Sequence, residues 1–256
     1  MNLDFYNWFL VFARMGAFLF ALPFFSAVNF PATLRVALAA LAAVLLAPQL
    51  PPFPLHQLDL LALFGLLARE VAIGLLLGFF ARMIFFAADV GGMIISNELG
   101  LSMANMMDPS SGQSDQVPGL ILSFLAVLTM LTLDLHHGLL LGFARSFDYL
   151  PLGSGHLSSA LFAVMVRRTA DIFVIALQIA APVMAVTFSI TVFFAVMSRA
   201  VPQMNVFAES FGIRIVGGLI VLGFTLQIAA QYIANYLHRL PEDLLGLSQL
   251  LAGGAR

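Results

Sequence analysis

The chain predicts an all-α, polytopic membrane protein, and three observations predict it. Of its 256 residues 61% are hydrophobic and only 9% charged, with a mean hydropathy of +1.02. A soluble domain is about 45–50% apolar and about 25% charged. The apolar residues fall into stretches of the length a helix needs to cross a hydrocarbon core, about 20 residues. No strand-period alternation is sustained, which disfavours a β-barrel.

Six helical segments follow in order, at roughly 5–25, 34–50, 60–88, 119–143, 160–198 and 211–237. Pro23 and Asn29-Phe30-Pro31 close the first. Pro48 and Pro51-Pro52-Phe53-Pro54 end the second, because successive prolines remove backbone donors and clash with the preceding turn. Pro151-Leu152-Gly153-Ser154-Gly155 and Val201-Pro202-Gln203-Met204-Asn205 separate the later segments. The N-terminus lacks a cationic stretch and Arg14 interrupts its first apolar run, so a cleavable signal peptide is not expected.

These are not ordinary spans. The second is short and the third and fifth are overlong, and Arg14, Arg69, Glu70, Arg82, Asp134, Arg167, Arg168 and Asp171 lie inside them. A charge at the centre of a lipid-facing helix costs roughly 2.5–3.5 kcal/mol, so such groups face protein or water. Arg69 and Glu70 point different ways on a helix, whereas Arg167 and Arg168 can share a face with Asp171. This many interior charges predict packing into a larger assembly. Orientation stays open: on the six-segment reading five arginines (145, 167, 168, 239, 256) fall on one side and four (35, 82, 199, 214) on the other. Two GxxxG patterns, Gly74 to Gly78 and Gly138 to Gly142, would let helices approach closely, but they specify no partner.

Composition also excludes. A net charge of −2 argues against a nucleic-acid partner. With no Cys there is no disulfide, thiol nucleophile or zinc-thiolate site. All eleven basic residues are Arg, for which codon usage is a simpler cause than arginine pairing. GxSxG, SxxK, HExxH and phosphate-cradling glycine loops are absent, so no catalytic residues, no metal ligands and no cofactors are expected.

Asp134, His136 and His137 form the one cluster with titration chemistry, since a carboxylate can tune a nearby imidazole for proton transfer. Adjacent histidines diverge by about 100° on a helix, which suits a shared metal poorly. They are candidate proton-linked residues, against the plainer reading of a polar helix end.

The longest polar interruption is 103–116, containing Met103, Met106, Met107, Asp108, Pro109, Ser110, Ser111, Gly112 and Gln113. Irregular backbone is not tolerated against lipid, so this segment lies in water, in protein or along a cavity. Methionine adapts to many surfaces, which suits a soft seal for a pore passing varied polypeptides. A helix end followed by a turn at Asp108-Pro109 and Ser111-Gly112 explains the composition equally well.

Several ordered blocks together resemble the FliR/SctT family, an export-gate component of bacterial flagellar and virulence type III secretion. They are Arg14-Met15-Gly16 with Leu22-Pro23-Phe24-Phe25, Pro31-Ala32-Thr33-Leu34-Arg35, and Arg69-Glu70 with Gly74 and Gly78. Asn97-Glu98-Leu99-Gly100 then leads to Met107-Asp108-Pro109-Ser110-Ser111-Gly112-Gln113. His136-His137, Ser146-Phe147, Pro151-Leu152-Gly153 and finally Val201-Pro202-Gln203-Met204-Asn205-Val206-Phe207 follow, the last looking like the family's PQxNxF element. The resemblance covers essentially the whole chain. It departs where the family commonly has a Pro and this chain reads Phe211-Gly212-Ile213-Arg214, and where Leu135 stands before the His pair.

The resemblance implies a single unit over 1–256, built of long helices and helical hairpins within a multi-subunit helical channel core in the bacterial inner membrane, at the flagellar basal body. Residues 1–157 would be FliP-like and carry the gate loop 103–116, and 158–256 would be a FliQ-like hairpin with a short tail. Implied partners are FliP-like and FliQ-like export-gate subunits, an FlhB-like switch subunit, unfolded export substrates in transit and membrane lipid. The loop 103–116 would help plug the closed channel. Arg14, Arg69, Glu70, Pro202, Gln203, Asn205 and Phe207 would serve subunit packing. The implied function is structural and gating, in flagellar type III export. Virulence-type export is the near alternative. A small-molecule transporter is the distant one, because the halves show none of the internal repeats such a protein should carry.

Overall fold

A computed structural model describes residues 5–22, 31–52, 59–101, 117–156, 159–201, 203 and 205–253, with the side chains of 206–208 excepted. It contains α1 (Phe5–Ala21), α2 (Ala32–Leu46) running into a 3-10 turn (Ala47–Gln49), and α3 (Leu60–Leu99). There follow α4 (Val117–Thr132), α5 (Leu135–Tyr149), α6 (Ser159–Ala200) and α7 (Val206–Leu251), and no strand among the described residues. The all-α expectation therefore stands. Four helical stretches are long and apolar enough to cross a membrane: Ala32–Gln49, Leu60–Leu99, Ser159–Ala200 and Glu209–Leu251.

Three expected boundaries move, each for a physical reason. The segment 119–143 is two helices, because Asp134 sits in the left-handed region (φ 55°) between them. Aspartate is among the few non-glycine residues that visit that region. The third helix extends beyond 88 to Leu99: it runs through Gly91-Gly92, where the α4 backbone packs against Gly92, and stops only at Gly100 in the left-handed region. The last helix extends beyond 237 and continues through Pro241 to Leu251. A proline removes one helical hydrogen bond, but here its ring packs where two glycines leave room: a Cβ on Gly138 would lie 3.1 Å from Pro241 Cγ, and one on Gly142 3.3 Å from Pro241 Cα.

The chain divides into two compact units. Unit one comprises Met1–Met83, Asp134–Arg168 and Leu237–Arg256, and unit two Ile84–Leu133 and Thr169–Tyr236. In unit one, α1 buries Asn7, Leu10, Val11, Arg14, Met15, Phe18 and Leu19. That spacing of three and four is the single stripe of an amphipathic helix. The Gly74–Gly78 stripe of α3 lies directly on α1. A Cβ at Gly74 would collide with the Arg14 carbonyl oxygen, and one at Gly78 would stand 2.5 Å from Ala21 Cβ and 2.7 Å from Phe18 O. The first GxxxG pattern is thus an intramolecular crossing, and the second receives Pro241. Phe18 and Phe143 pack with ring centroids 4.7 Å apart and planes tilted by 31°, which brings α5 onto α1. Arg168 donates to Asp243 Oδ1 at 2.6 Å and lies 5.5 Å from the Phe80 ring. It thus finds its carboxylate in α7, not in Asp171 one turn along its own helix.

Candidate functional site

Unit one is organised around a buried ion pair. Arg14 Nε donates to Glu70 Oε2 at 2.5 Å, and both side chains are fully buried. Arg14 Nη1 donates to Leu150 O at 3.0 Å, and its guanidinium stands 4.3 Å from the Phe147 ring centroid. The second oxygen of Glu70 accepts from the Gly153 amide at 2.8 Å, and Arg69 Nη1 donates to Gly153 O at 2.6 Å. The neighbours Arg69 and Glu70, although divergent on their helix, therefore grip one residue, Gly153, by its carbonyl and its amide. Gly153 holds φ 76°, a backbone region glycine enters without a Cβ penalty, so Pro151-Leu152-Gly153 can turn its amide toward the carboxylate. A buried charge is tolerated only when paired and hydrogen-bonded. This network meets that condition and ties α1, α3 and the end of α5 together. His156 N to Leu251 O, at 2.9 Å, secures the same turn to the end of α7.

Unit two holds the two anchor points of segment 103–116. On the entry side, α3 ends in a Schellman cap: Leu101 N donates to Ser96 O and Gly100 N to Asn97 O, both at 3.0 Å, with Gly100 at φ 77°. Arg214 Nη2 donates to Glu98 O at 2.6 Å and so satisfies another carbonyl left open by the helix end. Thr187 Oγ1 donates to the Glu98 carboxylate at 3.1 Å. A Cβ on Gly100 would come 2.9 Å from the Phe211 ring.

On the exit side, α3 and α4 approach so closely that a Cβ on Gly92 would overlap the Gly119 Cα and lie 2.5 Å from its nitrogen. One turn back along α3 and one turn on along α4, Ser123 Oγ hydrogen-bonds to Asp89 Oδ1. Both ends of the segment are therefore held by rigid helices, while 103–116 itself, with Met103, Met106, Met107, Asp108, Pro109, Ser110, Ser111, Gly112 and Gln113, lies outside the described residues.

Pro202 is also outside the described residues, and Phe207 lies in the first turn of α7 with its side chain outside them. Gln203 and Asn205 are exposed in the short connection between α6 and α7. The stretch that departs from the family pattern, Phe211 to Arg214, supplies the two side chains packed on the α3 cap. Reading the sequence did not single out Phe211, Arg214, Thr187 or Gly92 for this place. A glycine after a long apolar helix is a recognised stop signal, yet the expected third segment ended at 88; the partners of the cap, more than eighty residues away, left no local signal. Gly100→Ala should cost about 1–2 kcal/mol through its left-handed backbone. Faster amide exchange across 96–101 in the purified protein would register the loss, and unchanged protection would contradict it.

Asp134, His136 and His137 come together at the start of α5. The imidazole rings are 4.1 Å apart between centroids, and His137 Nδ1 lies 3.6 Å from Asp134 Oδ1. One ligand-type atom from each of the three residues lies within 4.8 Å of the others. The cluster is thus tighter than adjacency on a regular helix suggests, because Asp134 stands in a left-handed turn. Asp134 and His137 are exposed, at 76% and 72%. What the arrangement offers as it stands is a histidine–carboxylate ion pair on protonation.

These features define a class: a helical membrane protein with a buried, hydrogen-bonded ion pair and a polar segment flanked by a capped helix end and a close helix crossing. Residues 5–240 match the family described as "Bacterial export proteins, family 1". The chain is 30% identical over 246 residues to the flagellar biosynthetic protein FliR of Bacillus subtilis (strain 168), covering 94% of each chain. It is 30% identical over 255 residues to FliR of Pectobacterium carotovorum, covering 96% of each. A more distant similarity, 25% over 198 residues and 76% of each chain, is to the Yop proteins translocation protein T of Yersinia pestis. The chain belongs to the bacterial export protein family 1, the FliR/SctT family.

Proposed function

We propose that this chain is a structural and gating subunit of the flagellar type III export channel, seated in the bacterial inner membrane at the flagellar basal body and acting without catalysis. The observation that carries the reading is near-complete alignment at 30% identity with relatives named flagellar biosynthetic proteins. The virulence-type relative aligns over a shorter stretch at lower identity, so flagellar export is favoured over injectisome export.

Physical features of the chain support an assembled role. The long helices α6 and α7 have 42 and 46 residues. At 1.5 Å per residue each is more than 60 Å long, about twice a hydrocarbon core of about 30 Å. Only 28% and 17% of their most apolar windows are buried, and Phe173, Phe188, Phe193, Ile220 and Phe224 are exposed along them. Surface of this kind calls for lipid along part of its length and for protein along the rest. FliP-like and FliQ-like subunits fit the protein share, an FlhB-like subunit would dock outside, and unfolded substrates would pass through. The stretch 158–256 would act as the FliQ-like hairpin, with Pro202, Gln203, Asn205 and Phe207 shaping its bend. Arg69, beside the buried pair, would steady the same packing.

In this reading Met103, Met106 and Met107 seal the closed channel, and Asp108 to Gln113 hold the segment shut through hydrogen bonds to neighbouring subunits. The Schellman cap and the Gly92–Gly119 crossing keep its two ends in place while its middle yields. Asp134, His136 and His137 would couple the subunit to protonation. Shortening 103–116 by six residues should leave assembly intact and make the membrane leaky to small solutes. Unchanged permeability in an assembled channel would refute the plug.

A further inference from the structure

We propose that unit one carries a seat for one anionic phospholipid, with an acyl chain in a groove between α1, α2 and α5 and the phosphate on Arg35. The groove has a volume of about 280 Å³ and is lined by Met15, Leu19, Leu38, Ala42, Leu45 and Phe143, among other apolar residues. A polar ligand placed there would lose its hydrogen bonds to water and gain none, so the occupant is a hydrocarbon chain.

Arg35 supplies the charge. It lies in the first turn of α2, three residues before Leu38 and seven before Ala42, so it shares the helix face that lines the groove. Its guanidinium rests 5.6 Å from the Phe20 ring centroid. Its Nε is buried without a hydrogen-bond partner, and no carboxylate pairs with it among the described residues. A half-exposed guanidinium beside an aromatic ring, with no carboxylate to neutralise it, carries the charged donors that phosphate oxygens accept from.

Length agrees with chemistry. From Arg35 to Leu45 the helix rises about 15 Å, half of a hydrocarbon core about 30 Å thick and thus the depth of one leaflet. A headgroup at Arg35 with its chain running past Leu38 and Ala42 to Leu45 therefore lies as it would in a bilayer. A neutral helix from a partner subunit could fill the groove but would leave Arg35 without a counter-charge. Lipid answers both features.

The test uses the full chain, purified gently with whatever subunits accompany it and exchanged into nanodiscs of equal phosphatidylglycerol and phosphatidylcholine. Lipid retained after re-extraction is counted by native mass spectrometry. We expect one phosphatidylglycerol per chain in the parent protein. Ala42→Phe fills the groove and should lower retention at least tenfold. Arg35→Gln should keep a lipid but lose most of the preference for phosphatidylglycerol. Circular dichroism and subunit recovery confirm that each variant folds and assembles.

A photo-crosslinker at Leu41, which lines the groove and is 58% exposed, should capture lipid. No retained lipid in the parent, equal retention in both variants, or capture of a protein at Leu41 would overturn the seat. The site needs only a membrane-embedded chain. Loss of lipid selectivity with accompanying subunits unchanged therefore speaks to this seat alone, and their absence speaks to the export reading alone.

Discussion

Glu70→Gln should all but remove the chain from the membrane fraction. The substitution keeps the shape of the side chain but leaves Arg14, fully buried, without its counter-charge. Removing one partner of a buried pair costs about 3–5 kcal/mol, a large share of the 5–15 kcal/mol that holds a typical domain together. Arg14 has little to fall back on: the Leu150 carbonyl and the Phe147 ring remain, and its Nη2 already lacks a partner. Arg14→Met alone should fail for the mirror reason, stranding a carboxylate whose remaining partner is the Gly153 amide. The double replacement Arg14→Met with Glu70→Met should recover more protein than either single change, because a packed apolar pair needs no compensation. Quantitative immunoblotting of membranes from the parent and the three variant strains measures these differences. Wild-type levels in either single variant would show that the pair does not organise unit one.

Gly92→Val should be the most damaging single change in unit two. The backbones of α3 and α4 meet at Gly92 and Gly119, and a Cβ at the first would occupy the space of the second. A flexible neighbour could swing aside, but backbone cannot, so the helices must part. Overpacking costs about 1–3 kcal/mol even where side chains can adjust. The Asp89–Ser123 hydrogen bond, one turn away, would be drawn apart with them. Because this crossing holds the exit of 103–116, the expected phenotype is a chain that accumulates at reduced level and admits small solutes. Gly92→Ala should show a weaker form of both effects, and a tight, fully abundant Gly92→Val protein would contradict the crossing.

Much of this architecture was legible. The apolar run that opens the chain and the prolines after the second helix mark elements that the structure confirms. Both GxxxG stripes proved to be close approaches, although nothing local says that Gly74 meets α1 or that Gly142 meets Pro241. The break at Asp134 was half legible: a polar helix end was one reading of Asp134, His136 and His137, but nothing local marked Asp134 as a left-handed corner within the 119–143 run. Continuation through Pro241 was hidden, since local rules make proline a stop and only the facing glycines relieve it.

The charges divided in the same way. Their number inside apolar helices signalled pairing, but the partners lie 56 residues apart for Arg14 and Glu70 and 75 apart for Arg168 and Asp243. Helical spacing cannot reveal pairs at such separations. For the candidate site, composition alone picked out 103–116, whereas the residues that clamp its ends come from four different helices.

The central claim is that this chain works as one part of an export channel, and its companions test that most directly. A tagged copy should be purified from its native host in mild detergent and its associated proteins quantified by mass spectrometry. The account predicts FliP-like and FliQ-like subunits in excess over this chain. A homogeneous monomer or homodimer, recovered in full yield, would contradict it.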